Sequence, residues 1–154
     1  MSVTTFGSAL SKIGVTVPEH LLADAEVPVM TGPQSQGDLI IIPAKDDSYD
    51  ISTVELQPVP DGGIQVVVGE ATGHTHWLHR GFESPGITFG RVDEVDSNSV
   101  LNGASLIEGV VHVPEGEVAE LIHTDEHGCN AMGPGTYVIR GKREFSDAIA
   151  RVAD

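Results

Sequence analysis

The sequence predicts an all-β protein: a single-domain sandwich or jelly-roll-like barrel with an N-terminal arm and a short C-terminal helix. Three observations carry that expectation. Short runs rich in Val and Ile recur along the chain, each bounded by Gly, Pro, Asp or Asn, as strands joined by turns require. Gly (18) and Pro (9) punctuate a chain of 154 residues, near the usual size of one domain. Helical spacing of apolar residues shows only near the two ends.

Taken in order, residues 1–36 read as an arm that mixes Val3, Phe6, Leu10, Ile13 and Val15 with small residues. Within it, Pro18 to Ala25 fits a short helix with Pro at its first position, where an N–H would lack an intrahelical partner anyway. The β domain is expected over 37–143. Its first strand is Leu39-Ile40-Ile41-Ile42, closed by Pro43, and the polar stretch from Pro43 to Pro60 reads as a surface loop. Ile64 to Val68 follows the turn signal Asp61-Gly62-Gly63. Gly81 to Asn102 holds few long apolar residues and reads as loops or short edge strands, suited to a contact surface. Ile107 to Val113, Val118 to His123 and Thr136 to Arg140 supply the later strands, the last after Gly133-Pro134-Gly135. Residues 144–154 read as a C-terminal helix or tail, from the spacing of Phe145, Ile149 and Val152.

Charge removes whole classes of function. Eight basic residues against 23 acidic ones give a net charge of −15. Phosphate backbones and anionic membrane surfaces would be repelled, so neither nucleic acid nor membrane is an expected partner. One cysteine, Cys129, excludes an intrachain disulfide framework and any cysteine-rich zinc module. The first residues lack the basic and apolar regions of a signal peptide, so cytoplasmic synthesis is expected.

The residues with chemical potential are histidines. Six of the seven lie between His74 and His127, and four of them form two tight clusters: Gly73-His74-Thr75-His76 and His123-Thr124-Asp125-Glu126-His127. An HxH pair on a strand places both imidazoles on one face, because strand side chains alternate. With the second cluster on a neighbouring strand, His74, His76, His123 and His127 become candidate ligands for a divalent metal, Zn, Fe or Ni. The bland alternative is a polar seam, with the imidazoles bonded to one another, to Glu70 and Glu126, or to water. His79 and His112 read as structural or surface residues. Cys129 reads as a buried structural thiol, since no oxyanion hole or source of a lowered thiol pKa is evident near it. No catalytic triad, acid–base carboxylate pair or nucleotide fingerprint stands out, so no catalytic residue is assigned and an enzyme is the less favoured reading.

Two resemblances bear on these blocks. Gly69-Glu70-Ala71-Thr72-Gly73-His74-Thr75-His76 partly resembles the first cupin motif, although Glu83 comes later than the family's metal-binding glutamate. Gly109 to Gly116 resembles the start of the second cupin motif, but Ala119 stands where its histidine is expected and His123 follows four residues on. Together with Gly37 to Pro43, Leu121 to Gly128 and Pro134 to Glu144, the first block also resembles a family of small proteins from actinobacterial phages and mobile elements. That resemblance implies a virion accessory protein, a capsid decoration or minor capsid subunit that binds and stabilises the major capsid lattice. It also implies a homo-oligomer, with a trimer ahead of a dimer. The arm or the segment from Gly81 to Asn102 would then grip the capsid protein or a neighbouring copy. The competing expectation is a metal-dependent cupin-like enzyme or small-molecule binder built on the histidine cluster.

Overall fold

The computed structural model describes residues 4–13, 27–67, 75–81, 83–96, 105–123 and 128–141. Eleven strands follow one short helix in these residues. The helix is α1 (Phe6–Lys12). The strands are β1 (Val29–Met30), β2 (Gln34–Gln36), β3 (Leu39–Pro43), β4 (Gln57–Pro58), β5 (Ile64–Gln65), β6 (His76–His79), β7 (Thr88–Asp96), β8 (Ser105–Val113), β9 (Ala119–His123), β10 (Gly128–Met132) and β11 (Gly135–Gly141). They form a five-stranded sheet in the order β1-β10-β9-β6-β5 and a six-stranded sheet in the order β2-β3-β11-β8-β7-β4. The fold is an all-β sandwich.

The main core lies between the sheets. Leu78, Ala119, Leu121 and Met132 of the five-stranded sheet meet Leu39, Ile41, Phe89, Val111, Val113, Tyr137 and Ile139 of the other. Alternation explains the choice: β3 buries Leu39, Ile41 and Pro43 while Ile40 and Ile42 are only half buried. The pairs β7·β8, β6·β9 and β3·β11 nest along the sequence and alternate between the sheets, as in a jelly roll. The β9–β10 hairpin stays within one sheet.

Side chains close both margins of the sandwich. On one side Gln34 Nε2 donates to the Ala131 carbonyl at 3.0 Å, and Gln36 Nε2 to the Leu121 carbonyl at 2.6 Å. On the other, the Arg91 guanidinium donates to the carbonyls of Val66 and Gln65 at 2.6 and 2.5 Å.

Two expectations need correction. The described part of the presumed arm is built into the domain. Phe6, Ala9, Leu10 and Ile13 make an i, i+3, i+4, i+7 stripe, and they pack with Val27 against Ile122, Cys129 and Ala131 on the outer face of the five-stranded sheet. Thr5 and Ser8 cap this helix reciprocally, each backbone N–H donating to the other's hydroxyl at 3.0 and 3.1 Å. β1 and β2 likewise sit in the sheets. Second, the segment read as loops or short edge strands contains β7, a nine-residue strand hydrogen-bonded to β8 along its length. Its polar look reflects a bulge: Val92 and Asp93 oppose Glu108 alone, and Asp93 takes the left-handed conformation (φ 54°). The helix expected at Pro18 to Ala25 and the tail at 144–154 lie outside the described residues.

Candidate functional site: a histidine corner of the sandwich

β6 begins at His76 and β9 ends at His123, and the two residues are direct partners in the antiparallel ladder. Cross-strand partners share a sheet face. Leu78 and Leu121, two residues along each strand, point into the core, so the imidazoles belong to that same inner face. Their ring centroids are 4.1 Å apart with the planes tilted by 34°. Both side chains are buried, His76 1% and His123 6% exposed.

A third group comes from the opposite sheet. The β2–β3 hairpin turns at Gly37-Asp38, with Gly37 in the left-handed region (φ 56°) that glycine adopts without strain. This turn brings Asp38 Oδ1 to 3.9 Å from His76 Nε2. Just before it, Gln36 is buried with its amide on the Leu121 carbonyl and on Asn130 Oδ1. The corner therefore holds two imidazoles, a carboxylate and a primary amide from three strands and one turn.

Of the four expected metal ligands, the structure brings His76 and His123 together. His74 and His127 lie outside the described residues, as do Glu70 and Glu126. Among the described residues no group of three His, Cys, Asp or Glu is arranged to hold a metal ion. His112 is elsewhere, on β8 of the other sheet, where its Nδ1 is 2.9 Å from Thr136 Oγ1.

His79 is only three residues from His76 but belongs to the opposite face. There it lies across from Glu120, whose carboxylate takes Lys12 of α1 at 2.5 Å. Gly81 N–H donates to His79 Nδ1 at 2.9 Å, which fixes the neutral ring with its proton on Nε2. Burial holds the His79 pKa below the ordinary histidine value, the Glu120 charge opposing that and Lys12 adding to it. Cys129 Sγ lies 4.0 Å from Glu120 Oε2, and burial reinforced by that carboxylate pushes the thiol well above its usual range. A thiol so protonated is a poor nucleophile at neutral pH.

Sequence reasoning missed Gln36, Asp38, Lys12 and Glu120. A Gly-Asp turn signal stands at Gly37-Asp38, directly before the apolar run Leu39-Ile40-Ile41-Ile42, but nothing local says that this turn meets His76. Residues 35–142, more than two thirds of the chain, match the family model described as Domain of unknown function (DUF8820). The chain belongs to this family. No curated protein and no solved structure matches it. The DUF8820 match contains every corner residue named above, Gln36, Asp38, His76, His123 and Asn130, whereas α1 and β1 precede it.

Proposed function

We propose that this domain is a binding module for a divalent transition-metal ion, held at the corner by His76 and His123, with His74 and His127 as further ligands. The observation that supports the reading is the buried cross-strand pair of imidazoles, 4.1 Å apart at one end of the sandwich. Neutral imidazole is the commonest protein ligand for zinc, iron and nickel. Asp38 would orient a ligand imidazole or balance the ion's charge. Elemental analysis of the full chain after exposure to Zn²⁺, Fe²⁺ or Ni²⁺ tests it. One ion per chain is expected, lost in His76→Ala and His123→Ala. Chelation should then lower the melting temperature, because an ion at 100 times its Kd stabilises the folded state by about 2.7 kcal/mol. No bound metal and no chelator shift would leave a hydrogen-bonded seam as the answer.

A second reading is a virion accessory subunit on a capsid lattice. The features that favour it are Val29 and Met30, large apolar side chains 54% and 43% exposed on β1, the terminal strand of the five-stranded sheet, together with the −15 charge. Exposed apolar groups on a sheet margin suit contact with another chain. Co-sedimentation with assembled capsids, and a trimer by light scattering, are its expected results. A monomer that ignores capsids removes it.

A further inference from the structure

We infer that Gln36 selects the occupant of the histidine corner: its side-chain carbonyl accepts a hydrogen bond from a water carried by the metal, so the corner takes a hydrated cation and rejects anions. This rests on the metal-binding reading above. Gln36 is 5% exposed, and its Nε2 donates both to the Leu121 carbonyl at 2.6 Å and to Asn130 Oδ1 at 2.9 Å. A backbone carbonyl only accepts, so the amide cannot be turned around. Asn130 is fixed in the same sense, its Nδ2 donating to Gln34 Oε1 at 3.1 Å and to the Ser35 carbonyl at 3.3 Å. Both amide protons of Gln36 are thus engaged, and Gln36 Oε1 is buried with no hydrogen-bond partner among the described residues.

Buried acceptors in native proteins are almost always paired, with protein or with bound molecules. This one calls for a donor. Its location assigns the donor to the corner: Gln36 leads directly into the turn whose Asp38 carboxylate is 3.9 Å from His76 Nε2, and the Leu121 carbonyl that anchors it is two residues from His123 on β9. The Asp38 carboxylate and Gln36 Oε1 both present negative potential. An anion would be repelled, whereas a metal ion bonds the imidazole nitrogens and its water donates to the carbonyl. Outer partners of this kind typically tune metal affinity 10–100-fold.

The test is Zn²⁺ titration of the metal-free full chain by calorimetry. Gln36→Met keeps the volume and removes the acceptor, and should weaken Zn²⁺ binding by roughly 10-fold or more. Asn130→Ala disturbs the same amide network but keeps Gln36 Oε1, and should weaken it less than the Gln36 variant does. If His76→Ala abolishes binding while Gln36→Met matches wild type, the inference is wrong and the metal reading stands. If wild type takes up no Zn²⁺, both fall. Should Gln36→Met fail to fold, a crystal structure of wild type with Zn²⁺ decides. A metal-bound water within about 3.2 Å of Gln36 Oε1 is expected; a water unconnected to the metal, or a protein donor in that place, overturns the proposal.

Discussion

Arg140 sits beside Lys142 and Arg143 in a stretch that looks like a basic patch, yet its guanidinium is turned into the molecule. Nε and Nη2 grip Asp47 at 2.8 and 2.6 Å, with the two side chains 8% and 3% exposed. Removing one partner leaves a buried charge, so Arg140→Ala should cost about 3–5 kcal/mol in urea unfolding. Replacing both, as in Arg140→Met with Asp47→Leu, should recover much of that loss. Equal losses in the single and double variants would refute the account. Neither residue announced this role, because the pair is 93 positions apart in sequence. Alternation along β6 explains why His76 shares the inner face with Leu78, but the sequence did not say which face would be the inner one. His79 adds a pH dependence whose sign follows from burial. Its pKa is lowered on folding, so the unfolded chain takes up the proton first, near 6.5. The stability it contributes is present above that pH and is lost as pH falls toward the folded value. Protonation must also displace the Gly81 N–H from Nδ1. The urea midpoint should therefore drop between pH 7.5 and 5.5, and His79→Gln should flatten the slope; parallel pH profiles would reject this assignment.

At the scale of elements, the strands in strongly apolar runs were legible: β3, β8, β9 and β11 fall within a residue or two of the runs that predicted them. β10, Gly-Cys-Asn-Ala-Met, was not, because its burial comes from packing against α1 and the core rather than from β-forming residues. α1 was missed although Phe6, Leu10 and Ile13 already have helical spacing; seven residues are too few for a helix to hold without a partner surface. That surface is the domain's own sheet. Deleting residues 1–13 exposes Ile122 and Ala131 and strips Lys12 from Glu120, so it should lower stability by several kcal/mol. Unchanged thermal unfolding of the truncated chain would restore the picture of a detachable arm. The loop after β3 is also held closely. A Cβ on Gly90 would lie 2.5 Å from Val54 Cγ1 and 2.6 Å from the Glu55 carbonyl. Gly90→Ala should therefore destabilise by about 1–3 kcal/mol, read as a fall in urea midpoint.

For the whole molecule, composition and punctuation were enough to anticipate an all-β sandwich, but not which margin each strand would occupy. The corner needed that missing knowledge: Asp38 and His76 are on different sheets, and only the closure of the sandwich by the amides of Gln34, Gln36 and Asn130 makes them neighbours. β9 has a position with its own consequence. It is central in its sheet, flanked by β10 and β6, and all five of its residues are buried, by the core on one side and in part by α1 on the other. Backbone amides in such a strand reach deuterated solvent only when the whole domain opens. Leu121 and Ile122 should be among the last to exchange, with His123 at the end of this slow segment. An ion bound at His123 would add its binding free energy to that opening, so slower exchange of the β9 amides in the presence of metal would be the sign of an occupied site.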